Sequence, residues 1–325
     1  MRSNGVSRMV PELVALARNP IPSGAVTGEL KSSNGVEIRY ALWQASREPR
    51  VGTVCLFGGR TEFIEKYFEV VADLRRRGFA VATMDWRGQG GSSRLLKDPQ
   101  KGHVGDFSDY LLDLNRFMRD VVLPDCPPPY VALAHSMGGH LLLRAASMPG
   151  LWFDKIVVTA PMLKLHSSQL GVAPSTARFA ANVASLIGVS GATLPKRRPS
   201  QGEITPFEDN PFTSDRERYL RNCALLESAP HLTIGWPTWG WLGAALRSME
   251  ILGARDYPSA IRSSVLFLVA GEDTVVSSRA IKDFAVGVKL ARHIVIPHAK
   301  HEILQEKDEL RQQFWAAFDA YVGLT

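Results

Sequence analysis

Cysteine is scarce in this chain of 325 residues, with three, at Cys55, Cys126 and Cys223. An odd, scattered set without a CxxC pair argues against a disulfide framework and against a zinc site. It fits a reducing compartment, so a cytoplasmic location is expected. Long hydrophobic runs are missing too. No stretch approaches the roughly eighteen consecutive apolar residues that a membrane-crossing helix needs. Near the N-terminus, the run VPELVALA is interrupted by Pro11 and Glu12 and lacks a small-residue cleavage site, which makes it a poor secretory signal. Acidic residues are in deficit, 32 Asp and Glu against 38 Lys and Arg, for a net charge of +6. Basic triplets stand at Arg75-Arg76-Arg77 and Lys196-Arg197-Arg198. They are either a solvated helix end and a solvated loop, or a source of attraction to anionic lipid headgroups at about 1 kcal/mol per basic residue. Peripheral contact with the inner membrane face is expected only on the second view. No aromatic-and-basic motif accompanies the charge, so nucleic acid is not an expected partner.

What is present is ordinary globular material, 45% hydrophobic and 22% charged, ample for a core. The first local signal is ELKSSNGVEIRYALW, where Asn34-Gly35 between alternating segments predicts a hairpin with a tight primed turn. Short β-rich runs then alternate with helical patterns. Strands are expected at 53–57, 80–84, 130–134, 156–159, 265–269 and 293–296, with helices at 65–77, 110–122, 137–147, 277–286 and 302–321. That alternation predicts a mainly parallel sheet covered on both faces, with the leading hairpin as antiparallel strands at one edge. The pattern breaks between Pro161 and about Asp256, a helical stretch with several Pro and Gly breaks. The sheet pattern resumes after it, which suggests an insertion carried above the sheet.

Ligand sites in such sheets lie at the carboxyl ends of the strands. The stretch YVALAHSMGGHLLL, residues 130–143, ends a β-run at His135 and Ser136 and starts a helix at Met137. It matches a nucleophile elbow, small-x-Ser-x-Gly between strand and helix, a strained turn that lifts the serine hydroxyl above the sheet. Ala134 stands where the strict pattern has glycine. A serine that merely caps a helix is the competing explanation.

A serine needs a base, and the base needs an orienting acid, in the chain order Ser, acid, His. After VLFLVAG come Glu272 and Asp273, and after HIVIP come His298 and His301. Asp273 is the favoured acid and His301 the favoured base. HAKHE departs from HExxH and follows Pro297 at a strand end, so no metal is expected. Two backbone N–H groups must hold the oxyanion. Met137 is expected to supply one. The loop Gly58-Gly59-Arg60-Thr61-Glu62 supplies the other, from Arg60 or, as second choice, Gly59. In DWRGQGGSS, Gly88 and Gly90 follow a strand and Asp106 lies downstream, which hints at a dinucleotide site. Ser93 replaces the third glycine, and Pro99 and Gly102 spoil the helix that should follow. A structural turn explains that segment better, and no cofactor is expected.

The stretches GGRTEFIEKYFEVVADLRRRGFAVATMDWRGQGGSSRLL, KGHVGDFSDYLLDL, LAHSMGG, AGEDTVVS and HAKHEIL together resemble the bacterial lysophospholipase L2 group, near the monoacylglycerol lipases of the α/β-hydrolase superfamily. The resemblance runs from about Val26 to the C-terminus. It implies an α/β-hydrolase fold, a mostly parallel sheet flanked by helices with a helical cap insertion. The expected division is an N-terminal extension (1–25), core (26–160), cap (161–256) and core again (257–325). It places the nucleophile on Ser136, the acid on Asp273, the base on His301 and the oxyanion loop on Gly59 and Arg60. Ala134 departs from the glycine usual in the family. The resemblance points to hydrolysis of carboxylic esters of monoacyl lipids. A general carboxylesterase, an N-terminal-residue peptidase and a non-catalytic binding protein of the same fold are the alternatives. A peptidase would need acidic groups for a substrate ammonium, for which the cap offers Glu203, Glu208 and Asp209. Trp236, Trp239 and Trp241 either line an acyl pocket or form the cap's own core.

Overall fold

A computed structural model describes residues 12–166, 169, 172–195 and 203–324. The basic triplet at 196–198 lies outside them. The first pair of strands, β1 (Val26–Lys31) and β2 (Glu37–Trp43), forms the expected antiparallel hairpin, with Lys31 opposite Glu37. Its turn has positive φ at both Asn34 and Gly35, the conformation that primed turns require. Next come β3 (Gly52–Phe57), α1 (Phe68–Arg76), β4 (Phe79–Met84), α2 (Ser108–Phe117), β5 (Tyr130–His135), α3 (Met137–Ala145) and β6 (Lys155–Thr159). After an intervening helical stretch, β7 (Ser264–Ala270), α7 (Ser278–Gly287), β8 (Ala291–Ile296) and α8 (Asp308–Val322) complete the chain. The strands make one eight-stranded sheet in the order β1-β2-β4-β3-β5-β6-β7-β8. β2 meets β4 antiparallel, and every pair from β4 to β8 is parallel.

Strand alternation builds two cores. On one face Cys55, Phe57, Ala132, Ala134, Ile156, Val158 and Phe267 pack with α2, α3 and α7. On the other, Val54, Leu56, Val131, Leu133, Val157 and Leu266 pack with α1 and α8. Both faces of the central strands are thus dry, which is why these strands read as continuous apolar runs. All three cysteines are buried and free.

Several expected boundaries move. The helix expected over 110–122 ends as regular α-helix at Phe117 and continues as a wider π turn over Met118–Val122, just ahead of Pro124. A proline lacks the N–H that would continue the ladder. The helix expected over 302–321 begins at Asp308, after a separate turn at Ile303–Gln305.

Between β6 and β7 the described residues form no named strand. They carry α4 (Pro174–Leu186), α5 (Arg216–Ser228) and α6 (Trp239–Leu252). Side-chain caps start the last two. Asp215 accepts from the Arg218 N–H and Thr238 accepts from the Trp241 N–H. Hydrogen bonds tie this stretch to the loop after β4: Gly235 N–H to the Gln100 carbonyl (2.7 Å), Thr238 N–H to the Gly102 carbonyl (3.0 Å), and Arg94 Nη2 to the His231 carbonyl (2.6 Å).

The basic triplet Arg75, Arg76 and Arg77 is taken up by local structure. Arg75 donates to the Gln44 carbonyl and Arg76 pairs with Asp73. Arg77 pairs with Asp319 and stacks over Trp315, its guanidinium carbon 3.9 Å from the ring centre.

Candidate active site

Ser136 sits at φ +49°, ψ −111° between β5 and α3. A non-glycine residue reaches such a conformation only when its surroundings enforce it. Here the backbone N–H of Ser136 donates to the Thr159 carbonyl, and its own carbonyl accepts from His140 and Met162, each at 3.0 Å. The strand-to-helix crossing is tight at Gly138. A Cβ there would lie 2.6 Å from the carbonyl oxygens of both Phe57 and Gly58. Ala134 is fully buried in the core opposite Phe57, where a methyl is accommodated. The steric demand of the motif therefore falls on the residue after the serine pair, and the departure at Ala134 is harmless.

The structure brings the three predicted residues together from the ends of β5, β7 and β8. His301 Nε2 lies 3.0 Å from Ser136 Oγ, and His301 Nδ1 lies 2.7 Å from Asp273 Oδ2. The other oxygen, Asp273 Oδ1, accepts the N–H groups of Val275 (2.7 Å) and Val276 (2.9 Å), so the carboxylate cannot rotate away. Burial alone would push the Asp273 carboxyl up. The His301 ring and the two amides outweigh it and hold the carboxyl below its ordinary value. Burial likewise works against a charged His301, and Asp273 overrides it, so the imidazole pKa is raised. The alternative acid and base, Glu272 and His298, lie exposed and pair with each other at 2.8 Å.

The Met137 N–H is the first of α3 and has no acceptor within its helix. On the facing side is the loop after β3. A Cβ on Gly59 would lie 3.2 Å from Ser136 Cβ, so this backbone passes directly beside Ser136. The Gly59 N–H is already bonded to Glu62 Oε2, which removes it as an oxyanion donor. The Arg60 N–H has no acceptor among the described residues. Of the two candidates in this loop, Arg60 is left.

Sequence reasoning missed what holds the loop. Glu62 accepts from Gly59 N–H, Tyr67 OH and Lys66 Nζ, and Lys66 bridges on to Glu302 at 2.7 Å. Burial opposes ionisation of Glu62, but the Lys66 ammonium overrides it and holds the carboxyl at about 2. Three carbonyls of the same loop are held by the turn after β4. Trp86 Nε1 donates to Gly58, and Gln89 Nε2 donates to Gly59 (2.8 Å) and Glu62 (3.2 Å). The glycine-rich DWRGQGGSS stretch is thus a brace for the loop after β3. A Cβ on Gly90, at φ +57°, would meet the Asp85 carboxylate. His135 is a further neighbour, its ring centre 4.7 Å from that of His301. Burial pushes the His135 pKa down to about 4, so it stands neutral beside the base.

The three tryptophans do not act as one set. Trp241 is buried beside Phe107, with the Arg60 guanidinium carbon 5.0 Å from its ring centre, so it adjoins the oxyanion loop. Trp239 packs against Ala177, Leu242 and Leu246 inside the helical stretch. Trp236 is half-buried and donates to Glu203 at 3.0 Å. Glu208 and Asp209 are exposed, Glu208 facing Arg216 at 3.6 Å. Among the described residues no cluster of three or more His, Cys, Asp or Glu could hold a metal.

The family model described as serine aminopeptidase, S33, matches residues 48–308. The chain belongs to this family. Its fold is that of the α/β-hydrolases. It is 35% identical over 301 residues to the lysophospholipase L2 of Escherichia coli (strain K12), covering 87% of this chain and 83% of that one, and it is an ester hydrolase. Among solved structures, a soluble variant of the monoglyceride lipase of Saccharomyces cerevisiae in complex with a substrate analog aligns with a TM-score of 0.73 at 18% identity, covering 94% of this chain and 98% of that one. A thermostable carboxyl esterase of Bacillus coagulans in complex with glycerol aligns with a TM-score of 0.69 at 16% identity, covering 92% and 99%. Identities this low carry the fold and nothing finer.

Proposed function

We propose that the chain hydrolyses carboxylic esters of monoacyl lipids, as a lysophospholipase or a monoacylglycerol lipase does. The observation that carries this is the continuous relay from Ser136 Oγ through His301 to Asp273, at 3.0 and 2.7 Å. Ser136 Oγ attacks the ester carbonyl while His301 Nε2 takes its proton. The carbonyl oxygen becomes an oxyanion, held by the N–H groups of Met137 and Arg60. Collapse expels the alcohol, which receives the proton from His301 and leaves an acyl-enzyme. Water then repeats the cycle with His301 as base, releasing the fatty acid and restoring Ser136. Asp273 keeps the proton of the neutral imidazole on Nδ1 and stabilises the imidazolium. We assign residues 161–256 as a cap over this site, with Trp241 on its inner wall.

The lipid preference draws on the named relatives and on one surface. On α4 and its C-cap, Phe179, Val183, Leu186 and Ile187 recur at helical spacing on one face. Leu186 is 87% exposed and Phe179 71%. An exposed apolar stripe of this kind suits the lipid interface. This stripe is a better basis for peripheral membrane contact than the paired Arg75, Arg76 and Arg77. Among the described residues no helix is long and apolar enough to cross a membrane.

The peptidase alternative is disfavoured by charge. Glu208 and Asp209 are exposed, Glu203 accepts from Trp236, and Trp241, next to the oxyanion loop, meets a cation, Arg60. The test is acyl release from a lysophospholipid, a monoacylglycerol and a short nitrophenyl ester, with Ser136→Ala as control. Highest kcat/KM on a monoacyl lipid supports the proposal. Cleavage of the short ester alone would leave the triad standing and remove the lipid assignment.

A further inference from the structure

Arg60, in the loop after β3, is half-buried and has an unusual set of partners. Its Nη2 donates to the Gly235 carbonyl at 2.7 Å, and its guanidinium carbon stands 5.0 Å from the centre of the Trp241 ring. Its Nε is buried and has no hydrogen-bond partner among the described residues. No described carboxylate forms an ion pair with it, whereas three arginines that are fully buried each have one. Arg39 has Glu65 and Asp85, Arg87 has Asp113, and Arg311 has Glu69 and Asp73. Room for this cation is built in at Gly102, where a Cβ would lie 2.5 Å from Nη2. Burial without a counter-charge lowers its pKa to about 10, which still leaves it protonated at neutral pH.

A cation partly withdrawn from water with no anion beside it is under-compensated, and its free donors remain available to a ligand anion. The position says which anion. Arg60 follows Gly59, the residue whose backbone passes beside Ser136, and on our assignment its own N–H holds the ester oxyanion. A group bound by its guanidinium therefore belongs to the same ester molecule. In a glycerol ester carrying a phosphate, only the two or three carbons of the glycerol separate the acylated oxygen from the phosphate-bearing one. The guanidinium fork matches phosphate oxygens, which carboxylate-free surroundings leave available.

We propose that the Arg60 side chain anchors a phosphate on the alcohol side of the substrate, and so selects phosphorylated monoacyl glycerols over neutral ones. This rests on the ester-hydrolase reading above and deepens it. In the same residue, then, the backbone N–H serves the reaction and the side chain serves selection. Side-chain substitutions keep the N–H and separate the two roles.

The test uses non-hydrolysable ether lipids, so that binding is read without turnover. An alkylglycerophosphate and the alkylglycerol of equal chain length are titrated into the full-length protein by calorimetry. The wild type is expected to favour the phosphate-bearing lipid by at least about tenfold, the size of a charge-assisted hydrogen bond. Arg60→Gln is expected to abolish that preference, and Arg60→Lys to retain part of it. Gly102→Ala, which pushes the guanidinium aside and keeps its charge, is expected to weaken it as well. Thermal unfolding midpoints confirm that the variants are folded.

Equal binding of the two lipids by the wild type, or an undiminished preference in Arg60→Gln, would overturn the proposal. Equal loss of both lipids in Arg60→Gln would make Arg60 a strut to Gly235 and overturn it too. Inorganic phosphate that binds as tightly as the alkylglycerophosphate would show a free-phosphate site and refute the substrate-borne assignment. Loss of the ester-hydrolase reading shows elsewhere, as acyl release that survives Ser136→Ala.

Discussion

Glu62 accepts the backbone N–H of Gly59, three residues before it, and so fixes the peptide plane that passes beside Ser136. The carboxylate is itself held by Lys66 and Tyr67, and Lys66 by Glu302, so the loop hangs from a buried chain of charges. Glu62→Gln keeps the size and one oxygen but leaves Lys66 with a single carboxylate. We expect kcat to fall with little change in KM, by up to the roughly 10²–10³ that loss of an oxyanion donor costs. An equal fall in stability and KM with kcat preserved would mean the carboxylate only supports the fold.

Ser136→Ala, His301→Ala and Asp273→Asn should each lower kcat by about 10⁴ or more, with the double variants no worse than the worst single. Steady-state kinetics on a short ester checks this. Additive losses would show that the three groups do not act as a unit.

The proposed mechanism requires neutral His301. Its pKa is raised by Asp273, so kcat/KM should fall on acidification with a midpoint above the ordinary histidine value of about 6.5. His135 stays neutral down to about 4 and should add no second limb. In Asp273→Asn the residual activity should show its midpoint at lower pH, because the raising partner is gone. Stability follows the same pair with opposite signs. The Asp273 contribution is present above the ordinary carboxylate range and is lost as pH falls through its depressed value. The His301 contribution is present below about 6.5 and is lost as pH rises through its elevated value.

Gly138→Ala places a methyl 2.6 Å from two carbonyl oxygens of the neighbouring strand and loop. Backbone cannot yield as a flexible side chain does, so we expect a loss of about 1–3 kcal/mol, read by denaturant unfolding, and a displaced serine. Ala134→Gly, on the other side of the serine, should cost about 1 kcal/mol and leave kcat intact.

Phe179→Glu and Leu186→Glu put charge into the exposed stripe of α4. Both should reduce sedimentation with lipid vesicles and leave hydrolysis of a short soluble ester unchanged. Undiminished vesicle binding would remove α4 as the membrane contact.

The sequence showed the parts of this protein that are local. Alternation and apolar runs marked every sheet strand, because each strand carries its own burial pattern. Asn34-Gly35 marked the hairpin turn, and the residue types around Ser136 marked the elbow. Asp273 and His301 were legible because each follows a strand directly. Interactions across long separations were not. Lys66 meets Glu302 across 236 positions, and nothing in either segment advertises the other. That the Gly59 N–H is occupied could not be read, since a glycine beside a loop carboxylate looks like an available donor. The tryptophans looked like one set because they are adjacent in the chain. Helix geometry sends Trp239 and Trp241 to different neighbours.

Ser136 and His301 are 165 residues apart, after β5 and after β8, with the helical stretch between them in the chain. At typical rates of translation, roughly ten to thirty seconds separate their synthesis. Throughout that interval a growing chain exposes a serine strand without the imidazole that activates it. On the proposed mechanism a growing chain is therefore unreactive toward esters until its last strand has docked.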